Sequence, residues 1–216
     1  MKPVTFKKPA KRSTKVVKRG VAQDAIGKLE SNQDIYILTY GQFSLIDALG
    51  AILDQTGPAD VVLSSWTAAD AHLNETAHMV EAMAIRKLQM IVDRSFRTRQ
   101  PAYFRRMKEL FGHDCIREIR SHAKFIVITN EKWSVVVRTS MNLNENPRFE
   151  NIEISTDKDF ADFMLGVVAD IFRVVPPNSP HSEMPEFADS KMPYQLVIAP
   201  ILECEQLRIP ETTHAA

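Results

Sequence analysis

His122 and Lys124 stand two residues apart at the head of the apolar, β-branched run Phe125-Ile126-Val127-Ile128. Residues i and i+2 of a strand point to the same side of a sheet, so this spacing predicts an imidazole and an ammonium projecting together from a rigid element. Ser140 and Asn142 follow after one more strand-like segment, and Glu150 lies a short loop beyond. Together they supply a nucleophile or acid, a compact cation, hydroxyl and amide donors, and a carboxylate that can set the tautomer of an imidazole. That set suits a phosphate. The oxygens of a phosphodiester shield its phosphorus, so attack needs cations or donors to neutralise them. A neutral imidazole can then attack and form a covalent phosphoenzyme, dividing one hard step into two. A second imidazole must protonate the leaving alkoxide and later activate water. No metal and no other cofactor is expected, because the sequence shows neither clustered carboxylates nor a His/Cys set with ligand spacing.

The elements that position these residues follow from periodicity. Asp34–Tyr40, Val61–Ser65 and Leu88–Val92 read as strands, separated by helical patterns over Gln42–Gln55 and Leu73–Arg86. Gly57-Pro58 breaks the first helix, and a basic, aromatic helix over Pro101–Phe111 stops at Gly112. Four strands then cluster at Ile116–Ile119, Ala123–Thr129, Ser134–Arg138 and Ile152–Ser155, before an amphipathic helix over Lys158–Val174. Alternating strands and helices, then clustered strands and a helix, predict an α/β fold: an α/β/α sandwich around a mixed central sheet. Residues 31–175 form that domain. Residues 176–216 hold seven of the twelve prolines and read as an extended tail, with Tyr194–Ile201 available to dock.

The formal net charge of zero hides an asymmetry. Residues 1–19 carry eight basic side chains and no acid, leaving 19 basic against 27 acidic residues in the remainder. Residues 1–30 therefore read as a basic, disordered arm whose partner is a polyanion, above all nucleic acid. Lys7, Lys8, Lys11 and Arg12 are its candidate phosphate contacts. A second basic stretch, Arg86 to Arg120, interleaves rings with Arg94, Arg97, Arg99, Arg105 and Arg106, whose planar forks suit phosphate. Trp66 and Trp133 read as packing residues, as do Phe104 and Phe111. Cys115 and Cys204 have no metal-type spacing and fit a reducing, cytoplasmic setting. No apolar run reaches the length of a membrane span, and no interfacial amphipathic anchor is present, so stable membrane association is not expected.

The segment from His122 to Glu150 resembles the phospholipase D superfamily, and within it the small nucleases with one motif per chain. His122 and Lys124 match the family's H-x-K, Ser140 and Asn142 its S-x-N, and Glu150 its distal Glu. The chain departs from the pattern at Thr129, where the family has Asp, and at Thr139, where it has Gly. The resemblance implies a phospholipase D-like fold and a metal-independent phosphodiesterase, here a nuclease, with DNA expected ahead of RNA. It also implies that the missing Asp is chiefly structural. Family members with two motifs build one site from two halves. No other histidine of this chain has a Lys two residues on, so the resemblance implies a homodimer whose two copies of His122 share one site. The alternative is a catalytically inactive nucleic-acid-binding protein of the same fold.

Overall fold

The computed structural model describes residues 10–17, 20–144 and 148–179. In chain order its elements are β1 (Lys11–Val17), α1 (Ala22–Ile26), β2 (Gln33–Thr39), α2 (Leu45–Thr56), β3 (Ala59–Ser65), α3 (Asp70–Glu81) and β4 (Ile85–Asp93). After these come α4 (Phe96–Arg99), α5 (Pro101–Phe111), β5 (Ile116–Ile119), β6 (Phe125–Thr129), β7 (Ser134–Thr139), β8 (Glu150–Ser155) and α6 (Lys158–Val174). The strands form one sheet in the order β1-β2-β8-β7-β6-β3-β4-β5. β1 runs parallel to β2, and β3, β4 and β5 are mutually parallel; β8, β7 and β6 join the two groups by antiparallel pairings.

Alternate residues of the central strands feed two cores, as the pleat requires. Val61, Leu63, Ile126, Ile128, Val135 and Val137 face a large core shared with α1, α2, α3 and α5. Val62, Phe125, Val127 and Val136 point the other way, against Ala161, Val168, Ile171 and Phe172 of α6. The molecule is thus the expected α/β/α sandwich with a mixed sheet. Phe104, Met107, Leu110 and Phe111 of α5 are all buried, and each contributes roughly 1.5–3 kcal/mol. α2 begins with a reciprocal cap: Asp47 N donates to Ser44 Oγ, and Ser44 N donates to Asp47 Oδ2. It stops at Gly57, whose φ of 75° favours a residue without a side chain.

Two expectations need correction. The basic arm does not extend through residue 30, because Lys11–Val17 forms the edge strand β1 and Ala22–Ile26 forms α1. The partners that make this possible lie beyond the basic cluster of residues 1–19. Lys11 pairs with Glu30 at 2.7 Å, and Lys15 Nζ donates to Ala25 O and Ile26 O, capping the negative end of α1. Lys7, Lys8 and residues 180–216 lie outside the described residues. The helix expected to run to Arg86 ends instead at Glu81, and Met83 turns the chain with φ 58°. Ile85, which lay inside the expected helix, is buried along β4, and the strand expected from Leu88 begins three residues earlier.

The far end of β6 explains how the fold manages without an Asp there. Thr129 lies directly across from Asp60 of β3, whose carboxylate sits 3.4 Å from Arg86 Nε. Arg86 also donates to Glu131. A carboxylate at position 129 would face Asp60, with the nearest guanidinium already shared between two acids. The neighbouring Asn130 closes the turn to β7, accepting from Lys132 N and Trp133 N and donating to Thr56 O and Pro58 O. Carrying both donors and acceptors, an amide can make all four contacts. Thr129→Asp is therefore expected to be less stable at neutral pH than its near-isostere Thr129→Asn by roughly 0.2–1 kcal/mol. Urea unfolding of the two variants checks this.

Candidate active site

β6 is antiparallel to both β3 and β7, so its first residue meets their last ones. At this edge stand Thr39 of β2, Ser65 of β3, Asp93 of β4, Thr139 of β7, and the opening residues of β6 and β8. His122 and Lys124 do not lie within the strand, as their spacing predicts, but in the extended segment just before it. Two backbone contacts hold that segment in line with β6. Thr139 N donates to Lys124 O, and Ser64 Oγ donates to Ala123 O. The two side chains still meet, with Lys124 Nζ 3.4 Å from His122 Nδ1. An ammonium can only donate, so a hydrogen bond here requires the ring to accept at Nδ1 with its proton on Nε2.

Ser140 and Glu150 arrive from β7 and β8. Ser140 Oγ donates to Glu150 Oε2 and accepts from Asn151 N, which clamps the end of one strand to the start of the other. Glu150 makes no hydrogen bond to the His122 ring within the chain; its charge acts on Lys124 instead. Burial pushes the Lys124 ammonium below the usual lysine range, and the Glu150 carboxylate opposes that shift. From Ser140 the chain crosses the head of β6 to reach the far side, where Leu143 N bonds Ser65 Oγ and Leu143 O accepts from Ala69 N. This crossing carries Asn142 over the site. Its Oδ1 is buried without a hydrogen-bond partner, which is unusual for an enclosed acceptor. Beside it lies a cavity of about 300 Å³ lined by Gln42, Ser44, Asn142, Arg148 and Glu150 among others. A larger cavity of about 540 Å³ opens between α1, α2 and α3; Asp47 lines both cavities, and Asp54 and Glu75 add two further carboxylates to this one.

All five expected catalytic residues thus converge on one edge, and the structure adds Trp66, which sequence reading assigned to packing. Its ring lies 5.6 Å from the His122 ring, and the Arg99 guanidinium stacks over it at 3.6 Å from the centroid. Arg99 also donates to Trp66 O and Ser95 Oγ. Ser95 Oγ in turn donates to Asp93 Oδ1, and Asp93 Oδ2 accepts from Ser121 N beside His122. Trp66 directly follows β3, a position that pairing with β6 places beside His122; no local signal marks it. Trp133, at the opposite end, packs against the large core as expected. Among the described residues no group of three or more His, Cys, Asp or Glu side chains is placed to hold a metal.

The other basic candidates are not brought together. Arg94 immediately follows Asp93 at the site edge and is exposed, as is Arg105 on α5. Arg106 is engaged with Asn74 and Asp70 of α3. Lys11 and Arg12 lie at the opposite end of the sheet, about 20 Å away at 3.3 Å per residue, beside Glu30 and Asp34. Arg97 is held by Glu118, which is only 2% exposed, and that hydrogen bond raises the guanidinium above its ordinary range.

No protein-family model matches the sequence, and no curated protein matches it. Solved structures do match. NucT from Helicobacter pylori superposes with a TM-score of 0.50 at 13% identity, covering 67% of this chain and 99% of that one. Nuc from Salmonella typhimurium, a phospholipase D family member, has a TM-score of 0.46 at 13% identity, with coverages of 67% and 98%. Polyphosphate kinase from Porphyromonas gingivalis gives 0.43 at 14% identity, over 69% of this chain and 27% of that one. The fold is phospholipase D-like.

Two outcomes follow from the site. Arg97→Ala is expected to cost about 3–5 kcal/mol by stranding the buried Glu118 carboxylate, whereas Arg94→Ala leaves stability within roughly 0.5 kcal/mol; denaturant midpoints separate them. Because the Lys124 pKa is lowered, the cation is present at low pH and is lost as pH rises, earlier than for an ordinary lysine. Affinity for inorganic phosphate should therefore fall on the alkaline side in the parent protein and stay level in Lys124→Arg, as calorimetric titration will read.

Proposed function

We propose that this chain is a metal-independent phosphodiesterase that cleaves nucleic acid, DNA ahead of RNA, at a site shared by two copies. The observation that carries this reading is the meeting of His122, Lys124, Ser140, Asn142 and Glu150 at one sheet edge from three separate segments. Lys124 neutralises the phosphate oxygens, and the Asn142 amide, which a half-turn converts from acceptor to donor, adds a hydrogen bond to them. Once the ammonium's donors turn to the phosphate, His122 Nδ1 is free to take the ring proton, leaving a lone pair on Nε2. That nitrogen attacks phosphorus as the bond to the leaving oxygen breaks, and the second copy's imidazolium protonates the leaving alkoxide. Water then attacks the phosphohistidine, gives its proton to the same second imidazole, and releases the phosphate monoester and the first ring.

Thr129 does not count against this chemistry. Seven residues separate it from His122, about 20 Å along an extended chain, and its neighbours there serve the turn to β7. Arg99 and Arg94, at the same edge as His122, extend the positive surface for flanking phosphates, and Lys7, Lys8, Lys11 and Arg12 add affinity that falls steeply with salt. A second reading, an inactive nucleic-acid-binding protein, draws on Glu150 bonding Ser140 in place of the imidazole. No helix among the described residues is long and apolar enough to cross a membrane, and the reading takes the reaction to be cytoplasmic.

Cleavage of DNA in excess EDTA separates the readings. It is expected to persist in chelator and to fall roughly 10²–10⁴-fold in His122→Ala, with an unchanged circular dichroism spectrum. Binding without cleavage supports the second reading, and cleavage that requires added metal overturns both. Sedimentation should give a dimer; a strict monomer that still cleaves excludes the shared site.

A further inference from the structure

Tyr40 and Phe149 are among the most exposed large apolar side chains of the described residues, at 49% and 60%. Single exposed rings are ordinary on protein surfaces, but these two are together. Thr39 pairs with Glu150 at the end of the β2–β8 ladder, and Tyr40 and Phe149 are the next residues outward on each strand. Their rings meet edge to face with centroids 5.2 Å apart. Neither ring belongs to either core. The pair stands at the mouth of the cavity beside Asn142, since Gly41 and Gln42 after Tyr40, and Arg148 and Glu150 on either side of Phe149, all line it.

The position relative to His122 is set by the sheet. β8 is two strands from β6 and β2 is three, so at about 4.8 Å per strand the rings sit roughly 10–14 Å along the edge from the phosphate-handling groups. We propose that the Tyr40–Phe149 pair is a stacking platform for an unpaired nucleobase of the strand whose phosphate lies at His122 and Lys124. This rests on the reading of the site given above. A base inside a duplex has both faces covered by its neighbours, whereas an unpaired base offers a π-face to an exposed ring. The exposed Arg148 guanidinium beside Phe149 supplies the charge that a backbone phosphate next to such a base requires. Stacking is indifferent to base identity, so the platform selects strandedness ahead of sequence.

The test compares full-length His122→Ala protein, in which cleavage is blocked, with the same protein carrying Tyr40→Ala and Phe149→Ala. Each is titrated with a short oligothymidylate and with its abasic counterpart bearing the same phosphates. Loss of the rings is expected to weaken oligothymidylate binding at least about fivefold and to leave abasic binding unchanged. A ring-retaining control, Tyr40→Phe with Phe149→Tyr, should bind both strands as the parent does. No change on removing the rings, an equal loss on the abasic strand, or a loss in the control overturns the platform. So does conversion of a dimer to a monomer in sedimentation, which would assign the rings to a second copy of the chain. If the parent binds neither strand, the nucleic-acid reading falls and takes the platform with it; if only the platform fails, the parent still binds both.

Discussion

The antiparallel pairing of β6 between β3 and β7 governs everything else in the molecule. β3, β4 and β2 end at one edge of the sheet, and a strand inserted in the opposite sense must begin there. The residues just before β6 are therefore carried to the ends of the strands around it, the position at which open α/β sheets hold ligands. His122 and Lys124 occupy that segment. Were β6 parallel to β3, the same two residues would lie at the other edge, beside the start of β3 at Ala59. The alternation of Ile126 and Ile128 toward one core and Phe125 and Val127 toward the other holds the register, because a slip by one residue would exchange the two faces.

Charge is distributed by the same geometry. A run of arginines in the sequence looks uniform, yet the fold divides it. Arg97 meets a carboxylate that is almost wholly buried and would be costly to leave alone, so its charge is spent within the protein. Arg106 joins α5 to α3. Arg99, two residues from Arg97 on α4, turns instead to the Trp66 ring, where a guanidinium finds a π-face and a carbonyl together. The result is a positive surface beside His122 built from few side chains.

The site also has two tiers. Lys124, Asn142 and the His122 ring present groups able to meet a phosphate, while Ser140, Asp93, Ser95 and Ser121 hold the strand ends and the segment before β6 through short polar contacts. Glu150 spans both tiers, bonding Ser140 and opposing by its charge the desolvation of Lys124. Such support matters because phosphate chemistry depends on donors already aimed when the substrate arrives.

Much of this was legible in the linear chain. The apolar, β-branched runs Phe125–Ile128 and Val135–Val137, the 3.6-residue face of Lys158–Val174, and stop signals such as Gly57 and Gly112 act over a few residues, so local sequence determined those elements. The order His122, Lys124, Ser140, Asn142 and Glu150, falling around successive strands, pointed to the side chains that gather at one sheet edge and to the α/β/α sandwich that gathers them. Other features depend on residues distant in the chain. β1 is a strand beside Glu30, Asp34 and the end of α1, which meet Lys11, Arg12 and Lys15, and α3 stops early because Ile85 buries more completely in a sheet. Only the tertiary structure decided that Arg97 belongs to Glu118 and Arg99 to Trp66, and that Tyr40 and Phe149 stand together. Those pairings join residues 21 to 109 positions apart, and burial and strand order, rather than local propensity, bring them into contact.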